Sequence, residues 1–73
     1  LRSERTRERI VGAALDLIRE GEAQPRTAVI ADRAGVSVRS IFQHFADTEA
    51  LFIAVADRVV RDVLKLARAI PES

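Results

Sequence analysis

The sequence predicts an all-α fold, in which a three-helix helix-turn-helix domain is followed by a long connecting fourth helix. Apolar residues recur every three or four positions over four segments, which is the spacing of a helix face. Gly35 and Ser37 stand between the second and third segments, where the chain leaves one helix and starts another. Pro25 and Pro71 lie outside the helical segments, as expected of a residue that lacks the backbone N–H.

The first helix is predicted over Ser3–Glu20, and Gly21 ends it because glycine readily takes the left-handed conformation that follows a helix. The inward face of this helix holds Ile10, Ala14, Leu17 and Ile18, with Val11 and Ala13 beside them. Arginines and glutamates are interspersed before the first of these residues. They are either solvated or in contact with a phosphate backbone, which binds basic side chains whatever the base sequence.

The second helix is predicted over Thr27–Ala34 and the third over Val38–Phe45. Gly35 supplies the positive φ that the turn between them needs, and the Ser37 hydroxyl is expected to cap the third helix. These two short helices and their turn form the helix-turn-helix.

The two sides of the third helix differ in polarity. Ile41 and Phe45 are four residues apart and are expected to point inward, whereas Arg39 and Gln43 point outward. Val38 has helical spacing with the inward pair. A short helix that is apolar inside and polar outside suits a groove of a nucleic acid.

A fourth helix is predicted over Thr48–Ala69, capped by Asp47 or Thr48 and ended by Pro71. Its apolar stripe consists of Leu51, Phe52, Val55, Val59, Val63 and Leu66. Three short helices cannot cover a stripe of this length. The second half is therefore expected to pack on a further domain or on a second chain.

The composition argues against several classes of protein. The 73 residues contain no cysteine, which excludes disulfides and thiolate metal sites and suits the reducing cytoplasm. The longest apolar run, Leu51–Ala56, is too short to cross a bilayer, and no signal peptide is visible. Because His44 is the single histidine, no metal site and no cofactor are expected.

The net charge of +1 is distributed unevenly along the chain. Between residues 23 and 46 the basic side chains are Arg26, Arg33 and Arg39, and the acidic one is Asp32. The N-terminal segment adds four arginines against two glutamates, whereas acids slightly outnumber bases from Asp47 onward. Positive charge therefore gathers around the turn and the N-terminus, as on a nucleic-acid-binding surface, although an ordinary mixed surface also fits.

The stretch from Ile30 to Phe52 reads IADRAGVSVRSIFQHFADTEALF. It resembles the N-terminal domain of TetR-family (tetracycline-repressor-type) regulators, in which a helix ending in Ala-Gly-Val-Ser precedes a recognition helix ending in aromatic-x-His-Phe. The earlier stretch RERIVGAALDLI is similar to the first helix of that family. The resemblance runs from about Arg5 to Val60 and includes both helices that flank the helix-turn-helix.

The resemblance implies a homodimeric transcriptional regulator, usually a repressor, that binds a double-stranded DNA operator. It divides the chain into a DNA-binding domain over residues 1–47 and a fourth helix over residues 48–73. That helix would lead to a C-terminal domain, outside this chain, that dimerises and binds a small-molecule effector. The resemblance implies no enzyme activity, and no membrane association is expected.

The third helix is expected to read bases, and the residues around it are expected to contact phosphates. The Arg39 guanidinium matches the two acceptors of guanine, and its alternatives are solvent or a phosphate. Gln43 is expected at an adenine or a phosphate. The family often uses the position of Val38 against bases, so Val38 is expected either at a thymine methyl or buried at the helix start. The residues expected at phosphates are Arg26, Thr27, Ser37, Ser40, Phe42, His44 and Thr48.

Three of these positions depart from the family pattern. Arg26 stands where serine or threonine is usual, so either its charge or the Thr27 hydroxyl would replace that contact. Phe42 replaces a common tyrosine and loses its hydroxyl contact, and Thr48 replaces a usual lysine. Each lost cationic contact is expected to flatten the salt dependence of binding by about one unit of slope.

Two other classes of function can be considered for these residues. A hydrolase built from Ser40, His44 and Asp47 is disfavoured, because one exposed helix offers no oxyanion hole and no enclosed pocket. A helical protein-interaction module, whose fourth helix binds a partner and whose turn touches no DNA, is the alternative function. The three phenylalanines are interpreted as core or edge-packing residues rather than as a platform for stacking bases.

Overall fold

The computed structural model describes residues 2–71 and, within this range, contains four α-helices and no strand. The helices are α1 (Arg2–Arg19), α2 (Thr27–Ala34), α3 (Val38–His44) and α4 (Thr48–Ala69). The predicted all-α fold is confirmed, and each predicted boundary lies within one residue of the observed one.

The first helix is the centre of the domain, because α1 contacts each of the other three helices. Its buried surface is consequently wider than the single face that the apolar spacing predicted. Leu15, which lies outside that face, is also buried. Among the described residues, the hydrophobic core consists of Ile10, Val11, Ala13, Ala14, Leu15, Leu17, Ile30, Ala31, Ile41, Phe45, Leu51, Ala54 and Val55.

Glycine ends the first two helices with the same hydrogen-bond pattern. Gly35 has a φ of 73°, and its N–H donates to the Asp32 carbonyl at 3.2 Å. The Val36 N–H donates to the Ala31 carbonyl at 2.9 Å, which completes a Schellman motif. Gly21, with a φ of 108°, closes α1 in the same way. Both glycines therefore occupy conformations that other residues rarely adopt.

Replacing Gly35 with alanine is expected to lower the free energy of unfolding by about 1–2 kcal/mol, the cost of a left-handed conformation at a residue with a Cβ. An added Cβ would meet no atom within 4 Å, so the loss is conformational rather than steric. Gly12→Ala is the matched control. Gly12 lies within α1, and a Cβ added there would sit 3.9 Å from Arg58 Nη1. This substitution is expected to raise the free energy of unfolding by about 0.5–1 kcal/mol. Urea denaturation measures the free energy of unfolding of both variants. Equal effects of the two substitutions would contradict a special conformational role for Gly35.

Side-chain caps fix the starts of the third and fourth helices. The Ser37 Oγ accepts a hydrogen bond from the Ser40 N–H at 3.0 Å, which confirms the predicted cap of α3. The Asp47 Oδ1 accepts from the Ala50 N–H at 2.8 Å, so Asp47 rather than Thr48 caps α4. The caps satisfy amides that the helices themselves leave unpaired.

A bidentate ion pair joins the C-terminal end of α1 to α2. The two guanidinium nitrogens Nη1 and Nη2 of Arg33 donate to the Glu20 carboxylate at 2.5 and 2.9 Å. These hydrogen bonds hold the pKa of Glu20 below its ordinary value, although both side chains are exposed. The charge of Arg33 is therefore balanced within the domain.

The fourth helix is buried over its first half and uncovered over its second. Leu51 and Val55 belong to the core, whereas Val63 and Leu66 in the second half are 58% and 69% exposed. A helix of 22 residues is about 33 Å long, which exceeds what the short helices can cover. The prediction that three short helices leave this half uncovered is confirmed.

Candidate nucleic-acid interface

The orientation of α3 is set by two of its apolar side chains. Ile41 is fully buried and Phe45, the residue that follows the helix, is 4% exposed. Arg39 and Gln43 are exposed. Because successive residues of a helix are about 100° apart, these two polar residues point away from the core. The predicted orientation of Ile41, Phe45, Arg39 and Gln43 is confirmed.

The exposed surface of α3 is more apolar than predicted. Val38 is 38% exposed and Phe42 is 44% exposed, so the expectation of Val38 buried at the helix start is wrong. Phe42 also lies outside the core, which leaves the edge-packing interpretation of this residue. The physical reason is that a helix of seven residues buries only a narrow face, which Ile41 and Phe45 already fill. Val38 and Phe42 are left beside the polar row.

The opposite edge of α3 is polar and closer to the domain. Ser40 and His44 are four residues apart and are both partly buried. Ser37, immediately before the helix, is exposed. Its oxygen accepts from the Ser40 amide, and a serine hydroxyl can still donate its own hydrogen to an acceptor such as a phosphate oxygen.

A second group of predicted phosphate contacts lies at the starts of α2 and α4. Arg26, Thr27 and Thr48 line one open groove of about 900 Å³, together with Phe52. Arg26 is exposed, and its carbonyl rather than its side chain receives the first amides of α2. The structure therefore brings these three residues to one groove, which Ser37, Ser40 and His44 do not line.

The charges near α3 favour an anionic partner. No acidic residue occurs between Arg33 and Ala46 in the sequence. Arg33 is paired with Glu20, whereas no ion pair involves Arg26 or Arg39 among the residues that the structure describes. The positive charge of this region is thus carried by Arg26 and Arg39 on the exposed surface.

Sequence reasoning missed one contact that supports the end of α3. The guanidinium carbon of Arg7 lies 5.0 Å from the centroid of the Phe45 ring, which is a cation–π geometry. The arginines before Ile10 were expected in solvent or at phosphates, so this interpretation is incomplete for Arg7. No local spacing relates Arg7 to Phe45, because only the packing of α1 on α3 brings them together.

Residues 2–71 contain neither a cluster of metal-binding side chains nor a membrane-spanning helix. No group of three or more histidine, cysteine, aspartate or glutamate side chains there is arranged to hold a metal ion. None of the helices in this range has the length and hydrophobicity needed to span a membrane.

Comparison with protein families decides the classification. The family described as "Bacterial regulatory proteins, tetR family" matches residues 10–55, which is more than half of the chain. The chain belongs to the TetR family. The matched residues include α2, α3 and every residue of the hydrophobic core, and the resemblance drawn from the sequence is confirmed. The chain accordingly carries the helix-turn-helix region that defines this family.

Three curated relatives are similar to this chain over most of its length. Uncharacterized HTH-type transcriptional regulators of Mycobacterium bovis and of two strains of Mycobacterium tuberculosis are each 42% identical over 65 residues. The alignments cover 88% of this chain and 33% of each relative, so the chain spans about a third of their length. No solved structure matches the chain significantly.

Proposed function

We propose that this chain binds a specific double-stranded DNA operator by placing α3 in the major groove. The observation that supports the proposal most is the orientation of α3. Ile41 and Phe45 anchor it to the core, while Arg39 and Gln43 stand on an exposed surface without acidic neighbours in the sequence. A helix of this kind fits the width of the major groove, where base edges can be distinguished.

The residues of the interface divide into two roles. Arg39 reads a guanine through two parallel hydrogen bonds, and Gln43 contacts an adenine or a phosphate. Phosphate contacts fix the register of the helix without carrying sequence information. The residues proposed for this second role are Arg26, Thr27, Ser37, Ser40, His44 and Thr48.

The regulatory cycle extends beyond the residues of this chain. Two copies in a homodimer would place their α3 helices in successive major grooves, about 34 Å apart. The protein then acts in the cytoplasm as a repressor by occluding a promoter. A small-molecule effector, bound by a domain beyond this chain, changes the separation of the two helices and releases the operator. The alignments cover 33% of each curated relative, so the remainder of their length could hold such a domain.

Fluorescence anisotropy at two salt concentrations tests the proposal against the alternative. The full-length product of the gene is titrated with a duplex enriched from a random pool and with a scrambled duplex. Binding is expected to weaken with salt, with a logarithmic slope of about −0.9 per phosphate contact. The enriched duplex is expected to bind more tightly at both concentrations. A protein-interaction module that uses only the exposed half of α4 would enrich no duplex at either salt concentration.

His44→Ala is expected to weaken binding by a similar factor for every duplex, about 2- to 10-fold, the contribution of one hydrogen bond. The reason is that His44 lies on the partly buried edge of α3, away from the Arg39 row. Anisotropy titrations with the enriched duplex and several single-base variants measure the effect. A loss confined to some of these duplexes would show that His44 contacts a base instead.

A further inference from the structure

Two apolar side chains form one edge of the exposed surface of α3. Val38 and Phe42 are four residues apart and therefore lie on the same side of the helix. They are 38% and 44% exposed, whereas Ile41 and Phe45 on the neighbouring side are buried. We refer to Val38 and Phe42 as the apolar edge. Its exposure needs a reason, because it lies on the surface proposed to meet DNA.

The chemistry of the apolar edge restricts what it can recognise. A phenyl ring and an isopropyl group have no hydrogen-bond donor or acceptor, so neither can make a polar contact to a phosphate oxygen. Base edges in the major groove present donors, acceptors and one apolar feature, the C5-methyl group of thymine. The thymine methyl is thus the feature of the groove that matches this edge.

The position of the apolar edge on α3 also favours contact with a thymine methyl. Each of its residues directly precedes a residue of the polar row, Val38 before Arg39 and Phe42 before Gln43. The two rows are about 100° apart around the helix axis, so both can face one groove. Ser40 and His44 occupy the other side of the polar row and are more buried. The open surface of α3 is consequently centred between the apolar edge and the polar row.

We propose that Val38 and Phe42 read the C5-methyl groups of thymines that flank the bases read by Arg39 and Gln43. This inference rests on the proposed function and makes it more specific, because it names the base type of the neighbouring operator positions. It also reassigns Phe42 from phosphate contact to base recognition. The operator half-site then contains at least one thymine beside the guanine read by Arg39.

Removal of the methyl group from DNA tests the inference without altering the protein. The full-length product of the gene first selects duplexes from a random pool. Each thymidine of an enriched duplex is then replaced in turn by deoxyuridine, which retains the hydrogen-bonding edge and lacks the methyl. Binding is expected to weaken about fourfold for each methyl read, as for the exposure of one methylene-sized group. Deoxyuridine at other positions is expected to have no effect.

Protein variants then assign each methyl to a residue. Val38→Ala and Phe42→Ala are each expected to weaken binding to the thymidine duplex and to abolish the deoxyuridine effect at one position. Phe42→Tyr is the matched control, since it retains the ring and is expected to retain the deoxyuridine effect. Circular dichroism checks that each variant keeps its helices.

The possible outcomes separate the two proposals. If duplexes are enriched and no deoxyuridine substitution weakens binding by the wild-type protein, the apolar edge does not read methyl groups. If the deoxyuridine effect persists in both alanine variants, other residues read the methyls and the inference is overturned. If no duplex is enriched at all, it is the proposed function that fails, and the inference fails with it.

Discussion

Arg39→Ala is expected to remove most of the discrimination at one operator position while leaving the helices intact. A bidentate arginine–guanine pair contributes about 1–3 kcal/mol of discrimination, or about 5- to 150-fold between guanine and another base. Arg39 is exposed and has no ion-pair partner among the described residues, so its removal leaves no buried group unpaired. Anisotropy titrations with the enriched duplex and its single-base variants measure the loss.

Arg39→Lys is the control for this prediction. Lysine retains the charge and lacks the planar fork, so it is expected to restore general affinity more than base discrimination. Unchanged base discrimination by the Arg39→Ala variant would show that Arg39 does not read a base. Reduced helicity in its circular dichroism spectrum would instead show that Arg39 supports the fold.

Ile41→Ala is expected to have the largest effect on stability, about 2–5 kcal/mol, as for other large-to-alanine changes in cores. Ile41 is fully buried, and α3 has only seven residues with which to hold its position. This loss is a large fraction of the free energy of unfolding of a typical domain, which is about 5–15 kcal/mol. Operator binding is therefore expected to fall together with the melting temperature.

Ile53→Ala is the matched control for the core substitution. It removes the same atoms from a residue of α4 that is 62% exposed, and it is expected to change stability by less than about 0.5 kcal/mol. Thermal denaturation of both variants measures the difference. Similar melting temperatures for the two would contradict the anchoring of α3 by Ile41.

Most of the fold was predictable because its determinants are local in sequence. The helix ends depend on residues such as Gly35, whose positive φ marks the turn, and Ser37, whose hydroxyl caps the next helix. The spacing of Ile41 and Phe45 was sufficient to orient α3. Each of these features is set within a few residues of the chain.

The features that could not be predicted depend on which helices pack against each other. Periodicity grouped Val38 with Ile41, but the core has room for a narrow face of α3 only, so Val38 stays exposed. Leu15 is buried because α1 is covered on more than one side. The contact of Arg7 with Phe45 depends on the packing of α1 against α3. The base and phosphate contacts themselves stay predictions, because they require the geometry of the bound operator.

The contacts of α1 with all three other helices determine how a mutation in α1 affects operator binding in the cell. Melting of α1 removes the support of α3, although no residue of α1 is among the proposed contacts with bases. A substitution in the interior of α1 therefore lowers operator occupancy by increasing the fraction of unfolded molecules, which cellular proteases then degrade. Such a loss of regulation would leave the affinity of the surviving folded molecules unchanged.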